Sequence, residues 1–358
     1  MFGSFILMAI IPSSVVGIAW GQTTTSPLIS TRNHFDRDTG KLLQGHNLED
    51  YDPSSNIPGF DRQCEEEIAV YVHGVWTTVF PSFTHFENAI EIFDRARMSL
   101  ADVQYRIPLI GFSWDSNTPI SPAGWWTAKI IAKENGPKLA EFLYDLKETC
   151  PNTAIRLIAH SMGARVVLSS LDSLTNNPDW NNNNYRIASV HLMGAAVDDE
   201  EVSKNPLDID GDSAIKHAYG KAIQDEVVRF YNLYNPEDDV LEGDDECALL
   251  LLTSICQPIY YPKHEHDFAL GQSGAQSGID IPENYDEINA RSEIDFNRDA
   301  DGDGGFCDLP IPFTALCSIN RTGDNHFGYP GFRYSFFTPF HSNGAMNIVV
   351  DNWNNPPP

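Results

Sequence analysis

Residues 154–171 read Ala154-Ile-Arg-Leu-Ile-Ala159-His160-Ser161-Met162-Gly163-Ala164-Arg-Val-Val-Leu-Ser-Ser-Leu171. The opening six residues are apolar apart from Arg156, which suits a short buried strand. From Ala164 onward the spacing is that of an amphipathic helix. Between them the chain must turn within three residues, with Ser161 at the apex and the small residues Ala159 and Gly163 on either side. Small neighbours are needed there because the serine's backbone is strained and the strand and helix pass close to it. The alternative is a serine that merely caps the helix.

Outward from this stretch the chain alternates. Ile68–His73 (IAVYVH) is a short run ending at Gly74, and Pro108–Trp114 (PLIGFSW) is another. Gly124–Thr149 reads as a helix, with Ile130, Ile131, Leu139, Phe142, Leu143 and Leu146 near helical spacing. Further runs follow at Arg186–Met193 and Val227–Tyr234, with a weaker one over Glu287–Phe296. Strands alternating with helices predict an α/β fold, a mostly parallel central sheet with helices on both faces. Function then belongs at the carboxyl ends of the strands. Residues 22–66, rich in Thr, Asp, Pro and Asn, read as an extended N-terminal arm, and 67–355 as one domain.

Composition narrows the function. With 358 residues, 42% hydrophobic and 20% charged, the chain can bury a substantial core, which excludes a disordered tail, a collagen and a small disulfide knot. Fifty acidic against 23 basic residues leave a formal charge of −27, so no nucleic-acid partner is expected. Such a surface suits a salty medium or colloidal repulsion, a halophilic or simply acidic protein. Residues 1–21 form an apolar segment ending Ala19-Trp20-Gly21, which reads as a secretory signal peptide, with an uncleaved anchor as the alternative. A secreted or cell-surface location follows, with membrane contact only if that segment is retained. Six cysteines behind an export signal make disulfides chemically plausible: Cys247/Cys256 and Cys307/Cys317 as local staples, leaving Cys64 and Cys150 as a long-range pair.

With its His160-Ser161-Met162-Gly163 elbow, the chain resembles the α/β-hydrolase superfamily, and within it the secreted esterase- and lipase-like members. The resemblance covers about Ile68–Trp353, with its specific motifs confined to four short places. It implies a serine nucleophile, an acid and a histidine in that chain order. Ser161 is the nucleophile. Asp238, in Asn235-Pro-Glu-Asp238-Asp239-Val-Leu241 after the Val227–Tyr234 run, is the acid, with Asp239 and Glu237 still open. His326 is the base, ahead of His341, while His264 and His266 lie in a loop nearer the acid. His73, His160 and His191 read as structural. By the same resemblance the backbone N–H groups of Met162 and Val75 form the oxyanion hole. Trp76, Phe80, Phe83, Phe86, Trp114, Trp125 and Trp126 either line an acyl pocket or pack the core and lid. Residues 198–226 read as a lid or cap whose acids disfavour anionic substrates.

An Asp- and Cys-rich insertion, 297–325, stands apart. Asn297, Asp299, Asp301, Asp303 and Asp308 are spaced like an EF-hand-type calcium loop with a glycine at 302, or form a solvated acidic loop. The expectation is therefore a serine hydrolase acting on a small-molecule ester or lipid, with no cofactor for catalysis and a structural Ca2+ in the insertion. Its rival is a non-catalytic calcium-binding cell-surface protein that keeps the hydrolase fold. A haloalkane- or epoxide-type hydrolase would carry a carboxylate where Ser161 stands.

Overall fold

Eight strands form one sheet: β1 (Leu28–Ser30), β2 (Asp52–Pro53), β3 (Glu67–Val72), β4 (Leu109–Ser113), β5 (Ala154–His160), β6 (Ile187–Met193), β7 (Val227–Tyr234) and β8 (Tyr285–Asn289). In this computed structural model residues 27–58, 64–78, 87–210, 215–242, 248–250, 253–255, 268–294, 326, 328–334 and 340–355 are described. The strand order is β8-β7-β6-β5-β3-β4-β1-β2. Every neighbouring pair is parallel except β1 and β2, which are antiparallel. β5 therefore lies inside the sheet, flanked by β3 and β6, and the residue that follows it emerges at the middle of the carboxyl edge.

Side chains of β3 alternate between two cores, as the pleat requires. Ile68, Val70 and Val72 join one apolar cluster with helices α2 (Pro122–Glu134), α3 (Gly136–Thr149) and α4 (Gly163–Thr175). Ala69 and Tyr71 join the other, with α1 (Ala89–Asp102) and α6 (Met346–Asn354). Near-continuous burial along β3, β4 and β5 is the signature of a parallel sheet covered on both sides.

Several expectations are revised. The helix read over 124–149 is two helices, broken at Asn135 where Gly136 and Pro137 follow. Proline lacks the N–H a continuous helix needs, and Gly136 lies so close to α4 that a Cβ would sit 2.3 Å from Ser169 Oγ. The weak run at 287–296 is β8 followed by a single helical turn at Arg291–Ile294. The N-terminal arm is not an extended lead-in: β1 and β2 complete one edge of the sheet, and the chain between them folds into a loop of turns closed by the Phe35–Leu42 bridge.

Part of the acidity of the 198–226 segment is withdrawn from its surface, while Asp210 and Asp225 stay exposed. Asp198, Asp199, Glu200 and Glu201 are all buried. Arg165 of α4 holds Glu201 through both terminal nitrogens (2.9 and 2.6 Å), and Lys216 holds Glu200 at 3.0 Å. The segment's helix α5 (Gly220–Glu226) carries Ala222 and Ile223 into the same core as α4. These carboxylates are buried because cations are buried with them, the condition under which burial is tolerated. Cys64 and Cys150 form a disulfide between the entrance to β3 and the end of α3. The other four cysteines lie outside the described residues, as do the 1–21 segment and all five residues of the proposed calcium loop. Among the described residues no helix is long and apolar enough to cross a membrane.

Candidate active site

Ser161 sits at the junction of β5 and α4 with φ of +54°, in the left-handed region that costs a non-glycine residue about 1–3 kcal/mol. Its backbone is strapped to the end of β6: Ser161 N–H donates to Met193 O (3.0 Å), and Ala196 N–H donates to Ser161 O (3.1 Å). The need for small neighbours is explicit. A Cβ on Gly163 would come within 2.6 Å of Val72 O, and one on Gly74 within 2.8 Å of Ser161 Cβ. The side chain of Ser161 is almost wholly enclosed and makes no hydrogen bond among the described residues.

The acid and the histidine converge from the other side. β7 runs into Asn235-Pro-Glu-Asp238, where Asp238 N–H donates to Asn235 O and Asp238 Oδ1 accepts from Leu241 N–H. This turn buries Asp238 completely while Glu237 faces solvent and pairs with Arg291. His326 Nδ1 donates to Asp238 Oδ2 at 2.8 Å, and the histidine is itself buried. Of the candidate acids and histidines whose side chains are described, these two are in contact, and the side chain of Asp239 lies outside what is described. Side chains of His264, His266 and His341 lie outside what is described.

His160 ties the two halves together. Its Nε2 donates to the backbone carbonyl of His326 at 2.6 Å, and the rings lie 4.8 Å apart. Burial, followed by the charge of His326, holds the His160 pKa well below its ordinary value, so the ring is neutral. Gly194 lies beneath the pair with φ of +54°. A Cβ there would come within 2.8 Å of Tyr329 Cε2 and 3.3 Å of both Asp238 Oδ2 and His326 Nδ1.

The loop after β3 completes the edge. His73 Nε2 accepts from Trp114 N–H (3.2 Å) and from Arg32 Nη2 (3.0 Å), which leaves Nδ1–H to donate to Gly74 O at 2.8 Å. Thr77 Oγ1 donates to the same carbonyl. Because the peptide is planar and trans, fixing Gly74 O turns the Val75 N–H the opposite way. The N–H groups of Val75 and Met162 make no hydrogen bond among the described residues. Trp76, at φ +55°, anchors the loop through Trp76 N–H to Ser116 O. Trp76, Trp114 and Trp125 pack into the core, while Phe80, Phe83 and Phe86 lie outside the described residues.

Residues 57–241 match the family described as alpha/beta hydrolase of unknown function (DUF900). The chain belongs to this α/β-hydrolase family. No curated protein matches it. Among solved structures, a novel cutinase-like protein from Cryptococcus sp. aligns at 12% identity with a TM-score of 0.22. That alignment covers 39% of this chain and 56% of the other. The α/β-hydrolase fold rests on the family match and on the parallel sheet with its strand-turn-helix elbow.

Within this α/β hydrolase, two residues that shape the candidate site escape sequence reasoning. Gly194 is one; its only signal is the small run Gly194-Ala195-Ala196 after a buried strand. Arg32 is the other, an arm residue whose guanidinium reaches Thr77 O (2.9 Å), Asn117 Oδ1 (3.1 Å) and Ser113 Oγ (2.9 Å). Desolvation pulls its pKa down to about 10, against the opposing charge of Asp115.

Proposed function

We propose that this α/β hydrolase is a secreted serine esterase, carboxylesterase- or lipase-like, cleaving a carboxylic ester through an acyl-serine intermediate. Ser161 Oγ attacks the carbonyl carbon while His326 Nε2 takes its proton. Asp238 keeps the proton on Nδ1 and stabilises the imidazolium as it forms. The N–H groups of Met162 and Val75 receive the negative oxygen of the tetrahedral intermediate. His326 returns its proton to the leaving alkoxide, and the alcohol departs. Water, deprotonated by the same histidine, then releases the acid and restores Ser161.

The observation that carries the reading is the 2.8 Å contact between His326 Nδ1 and a wholly buried Asp238 carboxylate. A carboxylate and a histidine sealed together beside an elbow serine held at φ +54° are costly to maintain without a task. Export is supported by the apolar leader and the Cys64–Cys150 disulfide, a bond that persists in oxidising compartments. The Asp-rich loop, Asn297 to Asp308, is proposed to bind Ca2+ as a structural ion; EGTA then lowers Tm, and unchanged melting overturns it.

Hydrolysis of p-nitrophenyl esters from two to sixteen acyl carbons, in low and high salt, tests the activity. Turnover with a defined chain-length optimum is the expected result. A folded protein that hydrolyses none of them contradicts the esterase reading and favours a binding protein on a hydrolase fold.

A further inference from the structure

The loop between β1 and β2 gathers His34, His46 and Asp50, whose nearest ligand atoms all lie within 4.8 Å of one another. His34 is 1% exposed, and its Nδ1 is buried with no hydrogen-bond partner. On the other side of the ring, Nε2 lies 3.3 Å from Asp52 Oδ2, which makes it the protonated nitrogen. The Nδ1 lone pair then faces Asp50 Oδ1 across 3.4 Å. Two lone pairs so placed repel unless a cation stands between them.

A zinc ion suits the gap. Ligands bonded at about 2.1 Å to a tetrahedral zinc are about 3.4 Å apart. His46 supplies a second imidazole, stacked on His34 with ring centroids 3.8 Å apart and its Nδ1 2.8 Å from Asp50 Oδ2. Asp52 on His34 Nε2 supplies the carboxylate that a metal-bound histidine ordinarily leans on. Lys138 and Asn47 N–H fix Asp50 Oδ1 from behind, so the carboxylate is oriented before any metal arrives. The Lys138 ammonium opposes a second cation, but the surroundings are strongly acidic. Burial, together with Asp145, Glu49 and Glu148, raises the Glu141 pKa on the same flank.

We propose that His34 Nδ1, His46 Nδ1 and Asp50 bind Zn2+, with water as the fourth ligand, and that the ion clamps the N-terminal arm into its folded loop. The site is separate from Ser161. It bears on the same edge of the sheet because Arg32, two residues before His34, holds the loop carrying Val75.

The full chain, stripped of metal and titrated with Zn2+, tests this, with Co2+ as the spectroscopic probe. Expected are one zinc per chain, a rise in Tm of about 5 °C at a hundredfold excess over Kd, and a cobalt spectrum of four-coordinate intensity. His46→Gln and Asp52→Asn each weaken binding at least about tenfold. His46→Gln retains an amide donor for Asp50, and circular dichroism of the metal-free variant checks that it folds as the parent does. His217→Gln, at an exposed histidine elsewhere, leaves zinc affinity unchanged. Absence of binding, or binding of equal affinity in His46→Gln, overturns the proposal.

Discussion

His326 Nδ1 and Asp238 Oδ2 meet at 2.8 Å although the residues stand 88 positions apart, and Gly194 is the floor on which they meet. The donor and the acceptor are both buried, so neither loses its partner to water. A side chain at 194 would intrude on both and on Tyr329.

Gly194→Ala therefore destabilises the protein by about 1–3 kcal/mol, from left-handed strain and overpacking together. It also lowers kcat on any ester turned over, because the histidine ring must shift. Urea unfolding and steady-state kinetics check this, and a variant within about 0.5 kcal/mol of the parent with unchanged kcat contradicts it.

Asp238→Asn keeps the shape but not the charge. The amide neither fixes the proton on Nδ1 nor stabilises the imidazolium, so kcat falls by about 10³–10⁴ with little change in KM. A loss smaller than tenfold removes Asp238 from the proposed mechanism.

His191 gives a pH test independent of catalysis. It is fully buried in β6, stacked on Tyr231 at 4.6 Å, and its pKa is pulled down to about 3 by burial and then by Arg156. The unfolded chain takes up this proton near pH 6.5, whereas the folded chain resists until about 3. Between those values the unfolded state binds more protons. The stability contribution is thus complete above about pH 6.5 and is lost as pH falls, by about 1.4 kcal/mol per pH unit. His191→Gln lacks this loss, so its stability deficit against wild type narrows by about 2 kcal/mol from pH 7.5 to pH 5. A constant deficit contradicts the shift.

The Cys64–Cys150 bond closes a separation of 86 residues. Chain-entropy reasoning assigns such a crosslink about 4–5 kcal/mol. The Cys64→Ser/Cys150→Ser variant should lose most of this in urea unfolding, with no change in kcat, since neither cysteine touches the Ser161 edge. A loss below about 1 kcal/mol contradicts the assignment.

Legibility in sequence followed the range of the interaction. The elbow around Ser161 is contiguous, so strand, turn and helix are readable together, and Asp238 and His326 follow from the chain order that the family resemblance implies. That these two touch is a tertiary fact that no local pattern holds. β1 and β2 are three and two residues long, too short for any periodicity, so the arm's place in the sheet was invisible. The acids of Asp198–Glu201 count toward an acidic lid in the sequence because no local pattern shows that Arg165 and Lys216 are buried with Glu201 and Glu200. His34, His46 and Asp50 follow no recognisable ligand spacing. Only the fold of the arm brings them together. The break at Asn135 is the opposite case, announced by Gly136-Pro137 but masked by the apolar spacing on either side.

Fluorophosphonate labelling of the intact protein tests whether Ser161 is an activated nucleophile. Wild type should be labelled stoichiometrically at Ser161, as located by peptide mass mapping. Ser161→Ala should take no label, and His326→Ala should react at least about a hundredfold more slowly. Folded wild-type protein that stays unlabelled, or that labels equally fast in His326→Ala, would contradict the account.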